Sequence, residues 1–147
     1  MKKILIIGAG PTGLTAALEL KRQGIDCKII DKKSEASTLS RAVGINARSL
    51  EILESSGVTK QLLDKGLKVE SIKLYNQKLK NFAQISIDII AHKYNFLLSL
   101  PQDETENILR QRLEEYGVSV DYGIEFVDIE LQEKNAKKKK KKGAQEI

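Results

Sequence analysis

The 147-residue chain is 41% hydrophobic, which suits one ordinary domain with a buried core. Its formal charge of +5 comes from a lysine run at 137–142, because without those six lysines 19 basic residues stand against 20 acidic ones. The near-neutral body excludes a nucleic-acid surface there. No apolar run approaches the roughly 18 residues of a membrane span. The single cysteine, Cys27, cannot form an internal disulfide, which suits the cytoplasm.

The first 31 residues predict one β-α-β unit. A continuous apolar run over 3–7 indicates a buried strand that a glycine cluster ends. Residues 12–23 have apolar side chains at helical spacing, with Gly24 as the stop signal. A second apolar strand over 25–31 ends in Asp31 and contains Cys27, which we expect to be a buried structural thiol.

The middle of the chain changes its periodicity twice. A second helix is predicted at about 46–55, with a further helical turn or two over 58–65. Apolar residues then alternate with period two between 69 and 100, which predicts three antiparallel strands. A helix over 102–116 and two short strands, 118–121 and 124–131, follow. The lysine-rich residues 135–147 cannot build a core, and we expect them to be a disordered tail.

The segment from Gly8 to Gly13 fits G-x-G-x-x-G, and it lies between a predicted strand and a predicted helix. Gly8 allows the tight turn, Gly10 leaves room for a pyrophosphate, and Gly13 lets the helix approach the sheet. Pro11 suits the first helical position, and the helix beginning at Pro11 or Thr12 offers N–H groups to phosphate. The turn therefore predicts a dinucleotide-binding site.

Asp31 follows Gly13 by 18 residues, near the spacing expected of an acid that accepts hydrogen bonds from a ribose. Its carboxylate would repel a 2′-phosphate. This excludes NADP at this turn and leaves FAD or NAD.

Two further clusters lie outside the turn. Residues 40–53 read SRAVGINARSLEIL, and residues 100–109 read LPQDETENIL. Together with the glycine turn, the chain resembles the FAD-dependent aromatic hydroxylases, single-component flavoprotein monooxygenases related to p-hydroxybenzoate and phenol hydroxylases. That family has an R-A-x-G segment before an R-x-x-E-x-L helix, and a later P-Q-x-x-x-E-x-x-L segment. The matching residues are Arg41, Gly44, Arg48, Glu51, Leu53, Pro101, Gln102, Glu106 and Leu109.

The resemblance covers about residues 3–133 and implies an α/β, Rossmann-like FAD-binding fold with an inserted antiparallel β region. It places Arg41 on the flavin side of FAD and Gln102 at the ribityl or pyrophosphate region. Arg48 is as readily a surface partner of Glu51 or Glu54 as a ligand contact, and Glu106 is expected to support its helix. The candidate cofactor-binding residues are Gly8, Gly10, Pro11, Thr12, Gly13, Asp31, Lys32, Arg41 and Gln102.

The family's later Asp-Gly and Gly-Asp motifs do not occur in this chain, and the substrate domain is mostly missing. We therefore expect a C-terminally truncated, partial FAD-binding domain over 1–134, followed by the tail. The resemblance implies an NADPH- or NADH-dependent monooxygenase that hydroxylates an aromatic or polycyclic substrate, with no turnover by this chain alone. The alternatives are an FAD-dependent reductase or halogenase of the same superfamily, or a non-catalytic nucleotide-binding remnant.

No residue is predicted to be catalytic and none to hold a metal. His92 lies between predicted strands without an evident partner, so we expect it at the surface. In the resembling enzymes the flavin performs the oxidation, while the protein positions and shields it.

Overall fold

A computed structural model describes residues 4–36, 44–78, 80–89, 91–132 and 135–142. The chain divides into two units: Met1–Leu39 with Leu109–Ile147, and Ser40–Ile108. In chain order the strands and helices are β1 (Ile4–Ile7), α1 (Pro11–Arg22), β2 (Cys27–Asp31), β3 (Gly44–Ile45), α2 (Ala47–Leu53), α3 (Val58–Lys65), β4 (Leu67–Val69), β5 (Ser71–Tyr75), β6 (Asn81–Ser86), β7 (Leu97–Ser99), α4 (Gln102–Glu115), β8 (Val120–Tyr122), β9 (Ile124–Gln132) and β10 (Asn135–Lys142).

The first unit is built on a parallel sheet of order β1-β2-β8. β1 and β2 pair in parallel from Ile4 opposite Cys27, and α1 connects them with its buried face formed by Leu14, Ala17 and Leu18. The predicted β-α-β unit is therefore confirmed, with boundaries within two residues of those expected. The strand over 120–122, predicted only as a short late strand, is the third member of this parallel sheet.

The end of the first unit differs from the prediction. β10 pairs antiparallel with β9, and its register sets Lys137 opposite Glu130 and Lys139 opposite Asp128. The expected disorder is thus not what the structure shows over 135–142, while residues 143–147 lie outside the described ones. The reason is that a strand ladder uses backbone groups, so a sequence unable to build a core can still extend a hairpin.

The second unit combines α2 and α3 with two small antiparallel sheets. β7 lies between β3 and β4 in one sheet, and β5 pairs with β6 in the other. The core includes Leu50, Leu62 and Leu98, each fully buried. The β5–β6 hairpin leaves apolar side chains substantially exposed, among them Ile72 and Ile85, which pair across the two strands.

The helices lie where the periodicity predicted them. α2 passes through a 3-10 turn at Glu54–Ser56 and ends at Gly57, whose φ of 78° is left-handed. α3 occupies the segment predicted for extra helical turns, and α4 begins at the predicted residue. The structure confirms the α/β class, the β-α-β start and the antiparallel strands that follow it.

Candidate functional site

The turn between β1 and α1 is held by backbone geometry. Gly8 has φ of 100°, a left-handed conformation that favours glycine. Its N–H donates to the Ile30 carbonyl at 2.8 Å, which ties the turn to β2. The start of the turn is therefore fixed against the carboxyl end of the neighbouring strand.

Gly13 and Gly10 are glycine for different reasons. A Cβ at Gly13 would lie 1.9 Å from the Gly8 carbonyl oxygen, so the turn closes only without a side chain there. Gly10 has φ of −74° and ψ of −179°, an extended conformation open to any residue. The backbone conformation at position 10 does not require glycine, whereas close approach of a ligand would.

No side chain caps the N-terminus of α1. Gly10 is the N-cap residue and makes no side-chain hydrogen bond, and Pro11 has no N–H. The first backbone hydrogen bond of the helix runs from the Leu14 N–H to the Gly10 carbonyl at 3.0 Å. Thr12 and Gly13 come before Leu14, so their N–H groups lie at the positive end of the helix dipole. A pyrophosphate fits this arrangement, because its oxygens accept hydrogen bonds from such N–H groups.

Asp31 ends β2 beside the turn and is half-buried. Its Oδ2 accepts the Ala9 N–H at 2.7 Å, and its Oδ1 accepts the Lys33 N–H at 2.9 Å. The carboxylate therefore joins the glycine turn to the loop after β2. Two carboxylate oxygens offer about four acceptor positions, so capacity is left for ribose hydroxyls.

Lys32 follows Asp31 and is exposed, with its Nζ 4.0 Å from the Glu125 carboxylate. Both residues belong to the first unit, as do all the predicted residues from Gly8 to Gly13. The structure thus brings seven of the nine candidate residues together at one end of the parallel sheet.

The structure does not relate the other two candidates, Gln102 and Arg41, to this group. Gln102 is the first residue of α4 and belongs to the second unit, where its Nε2 donates to Glu106 Oε1 at 2.7 Å. Arg41 lies outside the described residues. Arg48 pairs with Glu51 at 2.6 Å on the surface of α2, which is the surface alternative considered for it.

A cluster of charged and polar residues in the second unit was not predicted. Lys93 Nζ lies 2.7 Å from Glu54 Oε1, beside the buried Tyr94 ring. The hydrogen bond from Lys93 lowers the pKa of Glu54, and burial is the main cause that raises the pKa of Tyr94. These residues line an open depression of about 290 Å³ together with Thr59, Lys60 and Asp64. Glu54 and Lys93 are 39 residues apart, so no local sequence pattern signals their contact.

His92 is half-buried rather than free at the surface. Its Nδ1 accepts the Tyr94 N–H at 3.0 Å, which makes it a local turn residue. Within the described ranges, no helix is long and apolar enough to cross a membrane, and no group of three or more His, Cys, Asp or Glu is arranged to hold a metal.

A parallel β-α-β unit with three glycines in its first turn and an acid ending its second strand defines a dinucleotide-binding protein. Comparison with known proteins makes the class specific. The chain belongs to the protein family described as "FAD binding domain", which it matches over residues 1–146.

Curated relatives of this chain are monooxygenases. It is 31% identical over 131 residues to pentachlorophenol 4-monooxygenase of Sphingobium chlorophenolicum, covering 88% of this chain and 24% of the relative. It is 36% identical over 132 residues to rifampicin monooxygenase of Rhodococcus hoagii, covering 88% of this chain and 26% of the relative. The chain therefore spans about a quarter of the length of these relatives.

Solved structures support the fold. The crystal structure of p-nitrophenol 4-monooxygenase PnpA from Pseudomonas putida DLL-E4 matches with a TM-score of 0.82 at 20% identity, covering 90% of this chain and 35% of that one. The flavin-dependent monooxygenase PieE, solved with FAD and substrate, matches with a TM-score of 0.77 at 24% identity, covering 92% and 26%. The predicted resemblance to flavoprotein monooxygenases is confirmed.

Proposed function

We propose that this chain is the FAD-binding N-terminal region of an NADPH- or NADH-dependent flavoprotein monooxygenase that hydroxylates an aromatic or polycyclic substrate. The observation that supports it most directly is the glycine turn tied to Asp31 at the carboxyl end of β1 and β2. Family membership identifies FAD as the dinucleotide.

The chain's own residues divide the work of binding. The N–H groups of Thr12 and Gly13 would donate hydrogen bonds to the pyrophosphate, Gly10 would leave it room, and Asp31 would accept hydrogen bonds from the adenosine ribose hydroxyls. Lys32 directly follows Asp31 and would lie near that ribose, while the resemblance places Arg41 on the flavin side of FAD and Gln102 at the ribityl or pyrophosphate region. When bound, FAD supplies the oxidation chemistry, and the chain holds and orients it.

The names of the relatives support the substrate class. Pentachlorophenol is aromatic, and other relatives are named for rifampicin and for 6-methylpretetramide. Monooxygenases among the relatives favour hydroxylation over the reductase and halogenase alternatives. Because the chain spans about a quarter of such relatives, we propose that it does not turn over by itself. The cytoplasmic location stays a prediction.

The binding site is tested with Gly10→Val. The substitution suits the extended backbone at position 10, so the fold should persist while the valine side chain occupies the pyrophosphate position. Titration calorimetry with ADP and with FAD should show binding by the parent and none by the variant. A variant that melts like the parent and binds ADP equally well would remove this turn from the phosphate site.

The matched control is Gly24→Ala, at the end of α1. Gly24 has φ of 73°, so alanine is strained there and should cost about 1 kcal/mol of stability. Its affinity for ADP should equal that of the parent, because it lies outside the turn. Loss of affinity in Gly24→Ala would mean that binding merely follows stability.

The lack of turnover is tested separately. The purified 147-residue chain with added FAD should not oxidise NADPH faster in the presence of a phenol. Substrate-dependent NADPH oxidation by this chain would contradict the proposal of inactivity without touching the binding site.

A further inference from the structure

Gly123 joins the third strand of the parallel sheet to the strand that follows it. β8 pairs with β2, while β9 pairs with β10, so the chain leaves the parallel sheet at this residue. In the register of β2 and β8, Asp31 lies opposite Tyr122. Because these two strands run parallel and end together, Gly123 lies at the same edge of the sheet as Asp31 and the glycine turn.

Two hydrogen bonds connect Gly123 to Asp31 through Lys33. The Gly123 N–H donates to the Lys33 carbonyl at 2.7 Å. Lys33 uses its own N–H as well, which donates to Asp31 Oδ1 at 2.9 Å. All three residues belong to the first unit. The turn between β8 and β9 therefore reaches the Asp31 carboxylate although it lies far from it in sequence.

The loop after β2 depends on such backbone bonds. Residues 32–35 are exposed, and exposed loops are held by few packing contacts. Another contact between this loop and β9 is the pair of Lys32 and Glu125 at 4.0 Å, whose side chains are 73% and 57% exposed. Exposed ion pairs contribute little to stability. The Gly123 bond is therefore the stronger of these two contacts.

The two oxygens of the Asp31 carboxylate are held by different segments. Oδ2 accepts the Ala9 N–H from the glycine turn, and Oδ1 accepts the Lys33 N–H from the loop. A carboxylate is planar, so two fixed donors set its orientation and with it the direction of the remaining acceptor positions. Displacing Lys33 would release Oδ1 and let the carboxylate turn about its bond to Ala9.

We propose that Gly123 is a positioning residue for this carboxylate: its N–H fixes Lys33, and Lys33 fixes the orientation in which Asp31 meets the adenosine ribose. The inference rests on the proposed function, which assigns the ribose hydroxyls to Asp31. Gly123 has φ of 70°, a conformation that glycine adopts freely, asparagine tolerates and β-branched residues avoid. A Cβ there would meet nothing within 4 Å, so a substitution acts through the backbone conformation and not through a clash.

The test compares the binding of ADP with that of 2′,3′-dideoxy-ADP, which lacks both ribose hydroxyls. The ratio of the two dissociation constants measures the contribution of the hydroxyls, because a general loss of stability or of phosphate binding affects both nucleotides equally. The parent chain should prefer ADP by roughly tenfold or more, and Asp31→Ala should abolish this preference. Gly123→Val should lose most of the preference, whereas Gly123→Asn, of similar size, should keep most of it.

Gly117→Val is the matched control. Gly117 belongs to the same unit and has φ of 73°, and a Cβ there would also meet nothing within 4 Å. It precedes the amino end of β8, whereas Asp31 lies at the carboxyl edge of the sheet. Its melting temperature should fall about as far as that of Gly123→Val, while its preference for ADP should equal that of the parent. Without ligand, the Ala9 amide proton should shift in the NMR spectrum of Gly123→Val and not in that of Gly117→Val.

The outcomes separate the two proposals. If the parent does not bind ADP, or binds both nucleotides equally, the ribose role of Asp31 in the proposed function fails and this inference fails with it. If the parent prefers ADP, an unchanged preference in Gly123→Val overturns the positioning role alone, and so does an equal loss in Gly117→Val or in Gly123→Asn.

Gly123→Ala carries the same test with milder strain if the valine chain does not fold. A preference for ADP between those of the parent and Asp31→Ala supports the positioning role. An unchanged preference overturns it.

Discussion

The lack of space for a side chain at Gly13 gives the sharpest prediction. Replacing Gly13 with alanine puts a methyl carbon 1.9 Å from the Gly8 carbonyl oxygen and 3.1 Å from the Gly8 carbonyl carbon. Favourable contacts between heavy atoms lie near 3.5 Å, so the oxygen would have to retreat by more than about 1 Å. Gly8 is held by its own N–H bond to Ile30, and backbone atoms cannot move aside as a flexible side chain does.

Overpacking in a core costs about 1 to 3 kcal/mol, and a clash with backbone belongs at the upper end. We therefore expect Gly13→Ala to lose about 3 kcal/mol, which for a chain of this size lowers the melting temperature by roughly 10 °C. Circular dichroism melts and urea titrations measure this loss directly.

The matched control is Gly10→Ala, three residues earlier in the same turn. Its extended backbone accepts alanine, so its melting temperature should stay within about 2 °C of the parent. A Gly13→Ala protein that melts with the parent would refute the argument that this turn closes only on a glycine. An equal loss in Gly10→Ala would show that the whole turn is sensitive rather than position 13.

Three further predictions concern other described residues. Asp31→Ala should weaken ADP binding by about 1 to 3 kcal/mol and also lower stability, since the buried Ala9 N–H loses its acceptor; unchanged values of both would remove Asp31 from the turn. Burial raises the pKa of the Cys27 thiol, so iodoacetamide at pH 8 should react several-fold more slowly with the folded chain than with the chain in urea; equal rates would contradict the burial. Gly66→Ala puts a Cβ 2.7 Å from Leu98 Cγ and should lower the free energy of unfolding by about 1 to 3 kcal/mol. The double variant Gly66→Ala/Leu98→Ala should then lose less stability than the sum of the losses in the two single variants.

The local elements could be predicted because their signals are local. Gly8 and Gly24 mark where β1 and α1 end, and the 3.6-residue spacing of Leu14, Ala17 and Leu18 identifies the helix. The same holds for α3 and α4. In the candidate site, the proximity of the three glycines and Asp31 could be predicted because one fingerprint with fixed spacing contains them all, while their contacts to the dinucleotide stay a prediction.

The strand partners could not be predicted in the same way. β7 pairs with β3 and β4, so Ser99 lies opposite both Gly44 and Leu67. Period-two alternation indicates a strand but says nothing about its neighbours, since any strand offers the same backbone ladder. The lysines of β10 illustrate the same point, because composition predicted disorder and gave no sign that their backbone pairs with β9.

Side-chain contacts between distant residues were also beyond the sequence. The two acceptor roles of Asp31 toward Ala9 and Lys33 depend on how the turn and the loop fold around β2. The motif predicted a ribose ligand at Asp31, but it did not predict that this carboxylate also binds the backbone of the turn.

The first unit is discontinuous in sequence, and this affects the order in which the chain can fold during synthesis. Its third strand pairs Val120 with Ile29, contacts about 90 residues apart, whereas the second unit is the uninterrupted segment Ser40–Ile108. A chain emerging from the ribosome holds the whole second unit before the third strand of the first has been made. Closing the loop between Ile29 and Val120 also costs more entropy than closing the shorter loops within the second unit. The glycine turn is therefore synthesised before the second unit, yet the parallel sheet that carries it gains its third strand only after that unit has been made.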